Sequence, residues 1–186
     1  MDFDKVVKGR KSVRKFKSKK PDWRDIIEAV DFALKIPLAG NIPSLKFILV
    51  SDVKKIQDLA DACQQDFISQ ASYVVVVCSD PKDVVRSYDL EMGERYIRQQ
   101  AGASIEQFLL KLVDLGLAGC WVGSFVEDQI RRTLRIPEEI FIEAVIPIGY
   151  SMDSSAKKSK PDLDRSLYFN EYKYKFMKPR KEVEAL

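Results

Sequence analysis

A cluster of basic residues near the start of the chain, residues 8–16, is the segment whose side chains could do chemistry. Four basic side chains and one hydroxyl fall within six consecutive positions, with apolar Val13 among them. If the backbone is extended here, Arg10, Ser12 and Arg14 point to one side. Two guanidinium groups with a hydroxyl between them suit a phosphate and other oxygen acceptors. The alternative for this basic segment is a solvated loop, which is the usual role of a charge run.

The composition predicts a single globular domain. The chain has 186 residues, 46% of them hydrophobic, and a formal charge of +3 from 31 basic and 28 acidic side chains. That balance does not by itself predict nucleic-acid binding. No apolar run is long enough to span a bilayer, and residues 1–8 are charged and lack the apolar core of a signal peptide. We therefore expect a cytoplasmic protein with neither a membrane nor a nucleic acid as partner.

The residues available for catalysis are limited, because the sequence contains no histidine. Its three cysteines, Cys63, Cys78 and Cys120, are widely spaced and resemble neither a metal-ligand set nor a redox pair. We predict no metal site and no Ser–His or Cys–His catalytic pair. Any chemistry must then come from carboxylates, lysines, tyrosines or a cofactor.

Apolar spacing predicts the secondary structure that holds these groups. Helices are expected over residues 2–9, from the N-cap Asp22 up to Pro37, over 54–64 and 127–134, and over a longest segment that includes Ile97 to Leu115; strands are expected over 45–50, 73–78 and 142–150. The run Tyr73–Cys78 does not alternate, which predicts a strand buried on both faces. Pro147 predicts that its strand is an edge strand, or that the strand ends or has a bulge near this proline.

Further segments carry small, basic or aromatic residues. Gly102, Ala103 and Ser104 would let a second helix approach the longest helix closely. The loop Pro37–Pro43 has turn chemistry, and three glycines within residues 116–125 permit close approach of a ligand to the backbone. Residues 151–166 are rich in lysine and residues 167–176 in aromatic side chains, and the latter are expected to pack on the core or on a partner.

Four of these segments, in their order and spacing, resemble the nitroreductase family of FMN-dependent oxidoreductases. They are the basic segment, the Pro-x-Ala-Gly-Asn loop, the Gly-x-Ala-Gly-Cys-Trp-x-Gly-Ser-Phe loop, and the Ile-Pro-Ile-Gly-Tyr strand followed by lysines. The resemblance covers about Val6 to Tyr172. It implies an α+β fold with a central, mostly antiparallel sheet flanked by helices. It also implies an intertwined homodimer with two FMN sites at the interface. Residues 1–186 would form one domain, with 167–186 packing on the partner subunit.

The resemblance implies roles for individual residues. Arg10 would contact the flavin phosphate with Lys11 and Ser12 beside it, and Arg14 would lie near the pyrimidine edge of the flavin. The other matching positions are Pro37, Leu38, Ala39 and Asn41, reaching the cofactor from the other subunit, Gly123 and Ser124 near flavin N5, and Lys158 and Lys160, closing over the phosphate.

The implied chemistry agrees with the missing histidine, because the flavin carries out hydride transfer and needs no protein nucleophile. Hydride would pass from NADH or NADPH through flavin N5 to a nitro compound, a quinone or a similar small acceptor. Arg14 would tune the flavin by stabilising the negative charge of its reduced form.

The chain departs from the family pattern at two places. Pro43-Ser44-Leu45 stands where many members have Gln-Pro-Trp, and an Asp early in the long helix is replaced around Gln99 or Gln100. An alternative function is a flavin-binding carrier or sensor without turnover. A nucleic-acid-binding module is a third alternative, but the basic segments are short and no groove-reading motif is present.

Overall fold

The secondary structure follows the apolar pattern of the sequence closely. The computed structural model of the chain describes residues 2–152 and 163–175. Its elements are α1 (Phe3–Gly9), α2 (Trp23–Ala33), β1 (Leu45–Val50), α3 (Val53–Cys63), β2 (Tyr73–Ser79), α4 (Lys82–Tyr88), α5 (Leu90–Asp114), β3 (Ala118–Gly119), α6 (Glu127–Leu134) and β4 (Phe141–Gly149), with short 3-10 turns at Ala39–Asn41, Asp66–Gln70 and Leu163–Arg165. The Asp22 side chain accepts a hydrogen bond from Arg24 N, which confirms the predicted N-cap of α2.

The four strands form one antiparallel sheet in the order β1-β2-β4-β3. Its two faces carry separate halves of the core. One half packs against α2 and α5, and the other packs against α3 and α6. The predicted α+β fold, with a mostly antiparallel sheet flanked by helices, is confirmed.

Strand β2 is buried on both faces, as its unbroken β-branched sequence predicts. Val75 and Val77 face the half of the core that contains α5, and Val74 and Val76 face the other half. The strand therefore forms the centre of the core with its neighbour β4.

A β-bulge at Glu143 lets β4 serve both halves of the core. Val77 pairs with Ala144, whereas Cys78 pairs with Ile142, so Glu143 is the extra residue. Ala144 faces the same half of the core as Val77, and Ile142 faces the same half as Cys78. Without the extra residue, one end of β4 would turn its apolar side chains to the wrong face.

Pro147 lies in β4, which is an internal strand, so the structure excludes the edge, one of the three settings predicted for this proline. Val122 and Val145 exchange both backbone hydrogen bonds, and Gly119 pairs with Ile148 further along. In an antiparallel ladder the next pair to exchange hydrogen bonds after Val122 and Val145 would include residue 147. Proline has no N–H to donate there, and the pairing between β3 and the Val122 bridge is interrupted at that point.

Helix α5 packs against both the sheet and α2. Its residues Ile105 and Phe108 are fully buried against the sheet. Buried Ser104 donates a hydrogen bond of 2.7 Å to Ala33 O at the end of α2. The predicted close approach of a helix at the small residues of α5 is thus found at Ser104.

The chain divides into two compact units, residues 1–154 and 155–186. In the described part of the second unit, Tyr168 and Tyr172 stack edge-on at 5.0 Å and Phe169 N donates to Tyr174 O. The prediction of one domain with residues 167–186 on a partner subunit stays a prediction. Within residues 2–152 and 163–175, no helix combines the length and the apolar character needed to cross a membrane.

Candidate functional site

The basic segment is fixed against the end of the sheet by its two apolar residues and by backbone hydrogen bonds. Val13 and Phe16 are buried, and Val13 N donates to Gly119 O at 3.1 Å. Phe16 forms a bridge with Ser151 and packs so closely on Gly149 that a Cβ there would lie 3.0 Å from the ring. The segment is therefore joined to residues 116–125, the glycine-rich loop, and to the end of β4. The alternative of a purely solvated basic loop is excluded.

Ser12 and Arg14 meet at Cys120 of the glycine-rich loop. Burial raises the pKa of the Cys120 thiol, while the Arg14 charge and the Ser12 hydroxyl oppose that rise. The Arg14 guanidinium also lies 5.8 Å from the centre of the Phe67 ring. No carboxylate in the described part of the chain forms an ion pair with Arg14, so its charge is available to another anion.

Arg10 faces α5 instead. Its Nε lies 3.1 Å from Glu106 Oε1, and its side chain is 19% exposed, against 47% for Glu106. The prediction that Arg10, Ser12 and Arg14 share one neighbourhood is therefore wrong for Arg10. Ser12 and Arg14 lie at Cys120, whereas Arg10 lies at Glu106 of α5. Nothing in the sequence indicates that Glu106 is a partner of Arg10, because the two residues are 96 positions apart.

Gly123 and Ser124 are exposed on the glycine-rich loop. A Cβ at Gly123 would have Trp121 Nε1 as its nearest atom, at 4.0 Å. The backbone is therefore uncrowded at Gly123, whereas at Gly119 a Cβ would meet Ile146 and Pro147 O at 3.2 Å.

The loop Pro37–Pro43 lies elsewhere in the chain. It leads into β1, at the sheet edge opposite β3, and three interstrand steps separate these edges by about 15 Å. Gly40 has a φ of +58° and a Cβ there would meet the Tyr88 hydroxyl at 2.7 Å, so the loop requires glycine. Leu38 and Ala39 are half-buried, and Pro37 and Asn41 are exposed.

The Pro43-Ser44-Leu45 segment contacts the part of α5 that contains Gln99 and Gln100. Buried Ser44 donates a hydrogen bond of 3.2 Å to Oε1 of Gln100, which is also buried, whereas Gln99 is exposed. Gln100 Nε2 is the one buried side-chain nitrogen or oxygen without a hydrogen bond among the described residues. Ser44 and Leu45 are buried and are therefore part of the packing behind the loop, whereas Pro43 is exposed.

Cys63, Cys78 and Cys120 are all buried, which disfavours the reactive thiolate form. Burial raises the pKa of Cys63 to about 11, and burial is also the main cause that raises the pKa of Cys78 to about 12. Thiols with such values are protonated at neutral pH and unreactive. Lys158 and Lys160 lie outside the described residues.

Basic and hydroxyl side chains therefore lie beside an open glycine-rich backbone, an arrangement that can hold an anion and a planar ring. Residues 7–71 and 60–150 match the sequence model of the nitroreductase family, and together they span most of the chain. The chain belongs to the nitroreductase family. The family resemblance inferred from the four segments is thereby confirmed.

Other members of the nitroreductase family resemble the chain over most of its length. The "Putative NADH dehydrogenase/NAD(P)H nitroreductase" of Archaeoglobus fulgidus is 29% identical over 154 residues, which are 80% of this chain and 85% of that protein. A nitroreductase family protein of Clostridium novyi NT has a similar structure, with a TM-score of 0.76, 27% identity and coverage of 95% of this chain and 97% of that chain. An FMN-dependent nitroreductase of Clostridium difficile R20291 shares the fold, with a TM-score of 0.76, 23% identity and coverage of 90% and 98%.

Proposed function

We propose that this chain is an FMN-dependent oxidoreductase that transfers hydride from NADH or NADPH to a nitro compound, a quinone or a similar small acceptor. The observation that carries the proposal is the junction of the basic segment with the glycine-rich loop, made by the hydrogen bond from Val13 N to Gly119 O. Membership of the nitroreductase family supports the same conclusion. Names of similar proteins also support it, since they include a "Putative NADH dehydrogenase/NAD(P)H nitroreductase" and an "FMN-dependent Nitroreductase".

The residues present fit FMN. Arg10 and Ser12, with Lys11 between them, are hydrogen-bond donors of the type that a phosphate requires. The open backbone at Gly123 and Ser124 has room for the flat isoalloxazine ring. Lys158 and Lys160 are proposed as additional cations for the phosphate.

FMN, when bound, supplies the hydride chemistry, and the chain supplies position and charge. We assign Arg14 to the pyrimidine edge of the ring, near N1 and O2, since its guanidinium is exposed and has no carboxylate partner in the described part of the chain. A fixed cation there favours the reduced form more than the oxidised form, because reduction adds negative charge to that edge.

We propose that the site is completed by a second copy of the chain. Pro37, Leu38, Ala39 and Asn41 are assigned to the cofactor, but their loop lies at the opposite sheet edge from the basic segment of the same chain. A homodimer resolves this separation, because the loop of one subunit can reach the basic segment of the other.

Exposed apolar side chains support the homodimer. Helices α1, α2 and α5 form a groove of about 620 Å³ whose apolar lining includes Phe3, Phe32 and Leu110. Phe3 is 70% exposed, and Trp23 and Ile27 on α2 are about half exposed. A surface with so many large apolar side chains is typical of a protein interface.

Purified protein tested under anaerobic conditions provides the decisive experiment for the function. We expect the visible absorption bands of bound FMN, and rapid loss of these bands when NADH or NADPH is added. Bands that remain after both nucleotides are added would favour a flavin-binding carrier or sensor. Absence of flavin binding, with affinity for DNA that falls steeply with salt, would instead favour the nucleic-acid alternative.

Light scattering of the FMN-loaded protein tests the assembly. We expect twice the chain mass of 21.3 kDa, because each site needs residues from two chains. The same measurement at several protein concentrations is the control for nonspecific association. A stable monomer with FMN bound would contradict both the dimer and the divided site.

A further inference from the structure

We propose that Glu106 positions the Arg10 guanidinium for the FMN phosphate, an inference that rests on the function proposed above. Glu106 belongs to α5, and its Oε1 lies 3.1 Å from Arg10 Nε. No other carboxylate in the described part of the chain forms an ion pair with Arg10. The nearest contact is made through Nε, so the terminal nitrogens of the guanidinium remain donors for a phosphate.

The backbone around Arg10 is already fixed, which leaves Glu106 to fix the side chain. Arg10 N donates to Val6 O at the end of α1, and Val13 N donates to Gly119 O. The Arg10 side chain is only 19% exposed, so it lies along the surface of α5 and does not extend into solvent. An arginine that is ordered before binding loses less side-chain entropy when it binds a phosphate.

The carboxylate has a second, opposite effect, because its negative charge repels the phosphate. A comparison of Glu106→Gln with Glu106→Ala separates the two effects. Both variants lack the charge, but glutamine keeps the length of the side chain and an oxygen that can face Arg10 Nε. Any difference between them therefore measures the contact and not the charge.

Titration of the flavin-free Glu106→Gln and Glu106→Ala proteins with FMN and with riboflavin tests the proposal. We expect Glu106→Ala to bind FMN about threefold to tenfold more weakly than Glu106→Gln, the effect of ordering one long side chain. Riboflavin lacks the phosphate, so its affinity should be the same for both variants. In an Arg10→Ala background the difference for FMN should disappear.

Equal FMN affinities of the two Glu106 variants would overturn the proposal, as would an equal difference for FMN and riboflavin. The second result would mean that Glu106 supports the structure of the whole site. Failure of the unsubstituted chain to bind FMN would overturn the proposed function itself. Thermal unfolding of both variants distinguishes a local effect from loss of the fold.

Discussion

Replacement of Arg10 by alanine should weaken FMN binding by one to two orders of magnitude. The guanidinium is the proposed partner of the phosphate, and loss of a charge-assisted contact costs about 1.5–3 kcal/mol. The side chain makes no other ion pair than that with Glu106 among the described residues, so its removal should leave the fold intact. Fluorescence titration of the flavin-free protein with FMN measures the change.

Arg132 provides a matched control for Arg10, because it is an exposed arginine on α6. Arg132→Ala removes the same charge from the chain, and should leave the FMN affinity unchanged. If Arg10→Ala also binds FMN as tightly as the unsubstituted chain, the phosphate assignment is wrong. An equal loss in both variants would mean that the total charge matters and the position does not.

Replacement of Arg14 by methionine should lower the two-electron potential of bound FMN while oxidised FMN stays bound. Methionine keeps much of the side-chain length and removes the charge that favours the reduced flavin. A differential interaction of about 1.4 kcal/mol corresponds to roughly 30 mV for a two-electron couple. Spectroelectrochemical titration at saturating FMN measures this potential, and stopped-flow reduction by NADH or NADPH should show slower hydride transfer.

Arg14→Lys is the appropriate comparison, since it keeps a positive charge in the same region. The two-electron potential of FMN bound to Arg14→Lys should lie closer to that of the unsubstituted chain than the potential of FMN bound to Arg14→Met does. The alternative role of Arg14 is a surface ion pair, which would be worth about 0–1 kcal/mol. In the described part of the chain, however, no carboxylate forms an ion pair with Arg14. An unchanged potential in Arg14→Met would show that Arg14 is structural and that another group faces the flavin pyrimidine.

Most of the fold can be predicted from the sequence, because the relevant signals are local. Predicted helix 127–134 and strand 45–50 agree with the structure to the residue. The strand at 73–78 shows its double burial in its unbroken β-branched sequence. The small residues before Ile105 in α5 indicate the approach of another helix, which the contact between Ser104 and Ala33 provides.

Other features depend on contacts between residues that are far apart in sequence. Pro147 suggests an edge, a terminus or a bulge, but it lies in an internal strand. Its missing N–H falls where the pairing between β3 and β4 is interrupted, and the glycine-rich loop sets the position of that interruption. The pairing of Arg10 with Glu106 links the residue that follows α1 to the middle of α5. No local periodicity of the sequence encodes such a pair, so the structure is needed to find it.

The position of the Pro37–Pro43 loop, across the sheet from the basic segment, has a consequence for how cofactor loading depends on protein concentration. If two chains divide each site, FMN and the second subunit stabilise each other's binding. Dilution that separates the subunits would then release FMN, and excess FMN would hold the subunits together. The fraction of sites that hold FMN would therefore depend on the total concentration of the chain as well as on the concentration of flavin.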